Sequence, residues 1–105
     1  MKCGMTAINA YLKYQNITAE YKKEGNMTIR QVTDVLEEYG IMAKAYWTEG
    51  IQKESGIVYF PKYRHYVFME RKGGWVCITD SNAGTFWFPV FLTVLLGQRI
   101  VISHS

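Results

Sequence analysis

Residues 65–80 read HYVFMERKGGWVCITD, and this stretch decides the fold. Two strand-like runs, His65 to Arg71 and Trp75 to Asp80, flank Gly73-Gly74, a dipeptide that suits a two-residue hairpin turn. Such a turn sets Lys72 opposite Trp75, and therefore Glu70 opposite Cys77, Val67 opposite Asp80 and His65 opposite Asn82. Side chains two apart on a strand share a face. His65 and Asp80 thus fall on one face as diagonal neighbours, together with Val67, Met69, Val76 and Ile78. Because that set is apolar, the face is expected to look toward the helices.

Working outward, the chain before the hairpin is helical. In Gly4 to Gln15 an apolar stripe of Met5, Ile8 and Leu12 recurs at spacings of three and four. Thr28 followed by Gln31 makes a capping box for a second helix, with Met27 placed to staple onto Val32. Ile29, Val32, Val35, Leu36 and Tyr39 supply its buried face, and Gly40 stands where a left-handed C-cap is wanted. From Ile41 to Trp47 the period becomes two. Ile57 to Phe60 and Phe86 to Phe88 read as short strands. Pro89 is expected as the first residue of a short helix reaching Leu96, and Arg99 to Ser103 as a last strand. Helices first and an antiparallel sheet after them is an α+β order.

The chain has 105 residues, 49% of them hydrophobic, with 12 Lys and Arg against 9 Asp and Glu. That suits one domain, residues 1–105, with a core of its own. A net charge of +3, scattered along the chain, gives no ground for a nucleic-acid partner. No signal peptide precedes Cys3, and Phe86 to Gly97 is too short to span a bilayer. The expectation is a cytoplasmic protein with reduced thiols. Two cysteines and two histidines show no metal-ligand spacing, so neither a metal nor a cofactor is expected.

Three residues can carry chemistry. Cys3 stands just before the first helix, where unpaired backbone amides and the helix dipole stabilise a thiolate. Asp80 would orient the His65 imidazole, and His65 would deprotonate Cys3 and later protonate a leaving amine. Each residue has a plainer reading. Cys3 is a small residue near a chain end, His65 a strand-edge histidine bonded to backbone, and Asp80 a turn former in Asp-Ser-Asn-Ala-Gly. Their conjunction favours chemistry. Cys77, opposite Glu70 on the other face, is not the nucleophile.

The order of Cys3-Gly4 opening a helix, Gly40 closing a second, His65-Tyr66-Val67 on a strand and Asp80 ending the next resembles the bacteriocin-processing, double-glycine-leader cysteine peptidases. The resemblance runs from Cys3 to about Ile102 and takes in the Asn82-Ala83-Gly84 turn. It implies a papain-like fold, with Cys3 as nucleophile, His65 as general base and acid, and Asp80 as the orienting carboxylate. It also implies cleavage of a peptide after a Gly-Gly pair through a thioester. That family carries a glutamine a few residues before its cysteine, and only Met1 and Lys2 precede Cys3 here. The expected domain therefore lacks that segment.

Two further readings come from the residues. A degenerate peptidase-fold module would bind a peptide or protein partner without cutting it. The Phe91, Leu92, Leu95 and Leu96 cluster is expected as core, with any exposed part available to a protein partner. Tyr59, Phe60, Tyr63, Tyr66 and Phe68, interleaved with Lys62 and Arg64, are expected to be core and rim instead of a base-stacking surface.

Overall fold

The computed structural model describes residues 1–104, and it has an α+β fold. Two helices, α1 (Cys3–Tyr14) and α2 (Ile29–Glu38), precede strands β1 (Ala43–Thr48), β2 (Gly56–Phe60), β3 (His65–Lys72), β4 (Trp75–Asp80) and β5 (Gly84–Pro89). A 3₁₀ helix, Val90–Leu96, leads into β6 (Arg99–His104). The six strands form one antiparallel sheet in the order β1-β6-β2-β3-β4-β5. No helix among the described residues is long and apolar enough to cross a membrane.

The capping box of α2 is formed. Thr28 Oγ accepts the Gln31 N–H at 3.1 Å, and Gln31 Oε1 accepts the Thr28 N–H at 2.8 Å. Val32 and Leu36 are fully buried from this helix. Thr28→Ala removes one of the two reciprocal bonds and is expected to cost about 1 kcal/mol in urea unfolding. Gly40, with φ 83°, follows the C-cap as expected. Helix α1 begins one residue earlier than its sequence suggests, so Cys3 lies inside its first turn. The terminal helix is 3₁₀, with Pro89 as its N-cap and not its first residue. At seven residues it is longer than most 3₁₀ runs.

The sheet is apolar on both faces. Toward α1 and α2 it presents Ile57, Tyr66, Phe68 and Ile102, which pack with Ile8, Tyr11, Leu12, Val32 and Leu36. The Phe68 ring lies 5.6 Å from those of both Tyr11 and Tyr14. Val58, Val67, Met69, Val76, Ile78 and Val101 form a second core on the opposite face, closed by Phe60, Phe88, Val90 and Leu96. The expected orientation of the hairpin is therefore corrected: the Val67, Met69, Val76 and Ile78 face meets the 3₁₀ helix, and the helices cover the other side. Of the cluster expected as core in the 3₁₀ helix, Leu96 is packed inward while Phe91 and Leu95 are exposed.

Candidate functional site

The hairpin forms in the register that Gly73-Gly74 implies, from Lys72 opposite Trp75 to Phe68 opposite Thr79. Beyond Thr79 the ladder stops, and His65 pairs instead with Phe60 of β2. Residues 61–64 make the tight loop between β2 and β3. The Tyr63 N–H donates to the Phe60 carbonyl at 3.1 Å and the Arg64 N–H to that of Pro61 at 3.3 Å. Arg64 closes the loop with φ 49°, a left-handed conformation rare outside glycine.

His65 and Asp80 meet. The imidazole Nε2 lies 2.6 Å from Asp80 Oδ1, with the two side chains 20% and 18% exposed. The Asn82 backbone N–H also donates to Oδ1, at 3.2 Å, and so fixes the carboxylate from the far side. An ionised carboxylate only accepts, so the bond requires Nε2–H and leaves Nδ1 uncommitted. Nδ1 has no hydrogen-bond partner among the described residues. The Asn82 amide was not singled out in the sequence, though the Asp-Ser-Asn turn is the signal that predicts it.

Cys3 sits at the front of α1, where the first turn leaves backbone N–H groups without helical acceptors. The first helical bond runs from the Thr6 N–H to the Lys2 carbonyl at 2.9 Å. Its thiol is free, and the residue is only 7% exposed in the helix-side core. Its neighbour there is Tyr66, whose hydroxyl donates to the Met27 carbonyl at 2.8 Å. Burial raises the Tyr66 phenol above its ordinary range, and Tyr59 and Cys3 push it further in the same direction.

The three candidate residues are thus only partly assembled. His65 and Asp80 form a bonded pair, while Cys3 meets β3 one residue further along, at Tyr66. No hydrogen bond joins Cys3 to His65 among the described residues. The expectation that Cys3 and His65 share the helix-facing side of the sheet is corrected accordingly. Strand alternation sends Tyr66 toward the helices and His65 the other way.

A pocket of about 380 Å³ opens at Cys3, lined also by Met27, Tyr59, Tyr63, Arg64 and Tyr66. A larger open groove of about 650 Å³ runs between α1 and the β3–β5 face, past Lys13, Phe68 and Cys77. It touches none of Cys3, His65 and Asp80.

No family model matches the chain, and no curated protein does. Among solved structures the fold is similar to a double glycine motif protease from an AMS/PCAT transporter, crystallised in complex with the leader peptide. The TM-score is 0.63 at 17% identity, over 98% of this chain and 84% of that one. At that identity the likeness is one of fold.

Proposed function

We propose that residues 1–105 form a single peptidase-type domain that acts on a peptide through an acyl-enzyme thioester. Cys3 is the nucleophile, His65 the general base and acid, and Asp80 the residue that orients the imidazole. The observation that carries this reading is the 2.6 Å His65–Asp80 bond, which leaves Nδ1 as the only ring nitrogen available for a proton. The fold likeness to a protease bound to its leader peptide supports a peptide substrate of the double-glycine kind.

In this scheme His65 Nδ1 takes the thiol proton, and the Cys3 sulfur adds to the scissile carbonyl carbon. The C–N bond then breaks as Nδ1–H protonates the departing amine, leaving a Cys3 thioester. Water, deprotonated by the same nitrogen, hydrolyses the thioester and restores the thiol. The Cys3 backbone N–H, at the start of α1, supplies one donor to the developing oxyanion. The step needs the Cys3 sulfur within hydrogen-bond reach of Nδ1, a contact absent among the described residues, which this scheme assigns to the substrate complex.

Burial of Cys3 to 7% favours a second reading, a module that binds peptides on the same fold without cutting them. Thiol alkylation separates the two. For the catalytic reading, iodoacetamide is expected to label Cys3 near neutral pH about tenfold faster than free cysteine, and His65→Ala to remove that excess. Labelling no faster than free cysteine and indifferent to His65 would rule out the nucleophile and leave the binding module.

A further inference from the structure

We propose that the outer edge of β5 is a self-association surface, on which a second copy of this chain pairs its own β5 antiparallel about Phe86. The pairing needs none of Cys3, His65 and Asp80.

The hairpin before β5 sets which of its backbone groups face outward. In a two-residue turn the closing pair, here Lys72 with Trp75, is a hydrogen-bonded one. Trp75, Cys77 and Thr79 therefore turn their backbone groups toward β3, and Val76, Ile78 and Asp80 turn theirs toward β5. Their partners on β5 are Phe88, Phe86 and Gly84. The Val90 N–H, which donates to the Gly74 carbonyl at 2.9 Å, continues the same alternation. Thr85, Trp87 and Pro89 are left pointing outward, and no strand lies beyond β5 among the described residues. Pro89 costs the sheet nothing there, since the N–H it lacks would face no neighbour.

This edge is complementary to itself. Pairing about Phe86 sets Thr85 opposite Trp87 of the second copy and Trp87 opposite its Thr85. All of these residues have both an N–H and a carbonyl to exchange. Centring the pair on Trp87 instead would set Thr85 against a proline and lose a donor, so Pro89 selects the register. Phe86 then falls opposite itself in a close, non-bonded pair, where side chains touch. A two-fold interface also doubles any charge it carries. Here it carries none: from Ser81 to Gln98 no charged residue occurs, in a chain that is 20% charged. The opposite edge, β1, has Lys44, a residue that discourages such pairing.

Size sets the strength. Phe86 is 39% exposed and Trp87 54%. Their uncovered rings amount to roughly 200 Å² per copy. A standard interface buries about 800 Å² per partner, so the dimer is expected to be reversible, with Kd about 10–100 µM. The helices leave room for it. Helix α1 packs on β3 and β4. About 24 Å separates β3 from its counterpart across β4, β5 and their copies, and each α1 is only ~10 Å wide.

Sedimentation equilibrium from about 5 to 500 µM tests the proposal across that range of Kd. The weight-average mass is expected to rise from 12.2 kDa toward twice that value. Phe86→Lys sets two ammonium groups face to face and is expected to weaken association at least tenfold. Thr85→Lys repeats the test at an exposed position, with circular dichroism checking both variants for folding. The register is read by cross-linking in a Cys77→Ser background. Phe86→Cys brings its thiol opposite itself at a Cα separation of about 4.5 Å, within disulfide range, and is expected to give a covalent dimer under oxidised glutathione. Phe91→Cys, exposed in the same uncharged run but off the strand, is expected to remain monomeric. A mass that stays at 12.2 kDa throughout overturns the proposal. So does association that survives both lysine variants, or Phe91→Cys cross-linking as fast as Phe86→Cys.

Discussion

Replacing Arg99 by methionine is expected to lower the unfolding free energy by about 3 kcal/mol or more, moving the urea midpoint down by about 1–3 M. Arg99 is fully buried and pairs with no carboxylate. Burial lowers its guanidinium below the ordinary arginine range, with Tyr46 opposing the shift. What holds the charge is a set of oxygen acceptors. Nε donates to Gln52 Oε1 at 3.1 Å, Nη1 to the Gly97 carbonyl at 2.9 Å, and Nη2 to the Gly50 carbonyl. Gln52, 1% exposed, in turn takes the Thr93 hydroxyl oxygen with its N–H at 2.8 Å and receives Arg71 Nη1 on its carbonyl at 3.1 Å. Two opposing effects compete in the variant. Deleting a buried charge recovers its desolvation cost, whereas three oxygen acceptors lose their donor. Exchange of both members of a buried pair for apolar groups is often neutral, but here only the donor is removed, so the orphaned acceptors decide the sign. Arg99→Lys keeps the charge without the planar fork and is expected to fall between the two. A methionine variant within 0.5 kcal/mol of wild type would contradict this account.

Gly56→Ala is the second large effect, also about 3 kcal/mol destabilising. Elsewhere in a strand the exchange gains roughly 0.5–1 kcal/mol by restricting the unfolded chain. At Gly56 the added Cβ would sit 2.4 Å from the Ile102 carbonyl oxygen and 3.2 Å from Ser103 Cβ. The obstacle is backbone, and β6 is held by β1 on one side and β2 on the other, so it has nowhere to go. Gly74→Ala is the matching control, since nothing lies within 4 Å of its Cβ position. Thermal melts of the pair should part by well over 10 °C, with a shift of roughly 4–8 °C per kcal/mol for a domain of this size. Indistinguishable melts would show that the sheet absorbs the methyl group.

The hairpin was legible in the sequence because Gly73-Gly74 admits few turn geometries, and its register brought His65 and Asp80 to one face correctly. Which face that was could not be read. Tyr66 and Phe68 on one side and Val67 and Met69 on the other are equally apolar, and all four are buried, so alternation marks two interiors without naming their covers. The missing information was tertiary: the 3₁₀ helix closes one side, leaving the other to α1 and α2. The start of α1 at Cys3 is not marked in the sequence, because Lys2 offers no side-chain cap. Arg99 and Gln52 are not legible in the sequence for a different reason. Buried polar side chains announce themselves only through their partners, and Gln52 and Gly50 lie dozens of residues from Arg99. The Arg64 position was visible as part of an aromatic and basic run, but its left-handed backbone was not.

The strand order has a consequence for how the chain assembles. Strands β2 to β5 follow one another as a local meander, and each can zip onto its predecessor as it emerges. Strand β1 is the first strand made, yet it touches the sheet only through β6, the last. On the ribosome, β1 must therefore wait with an open edge until residues 99–104 are released. Closing that gap is a long-range step with a large loop entropy, of the kind that slows folding and invites mispairing. The final strand works as the keystone: β1 joins the sheet only after synthesis has passed every other element.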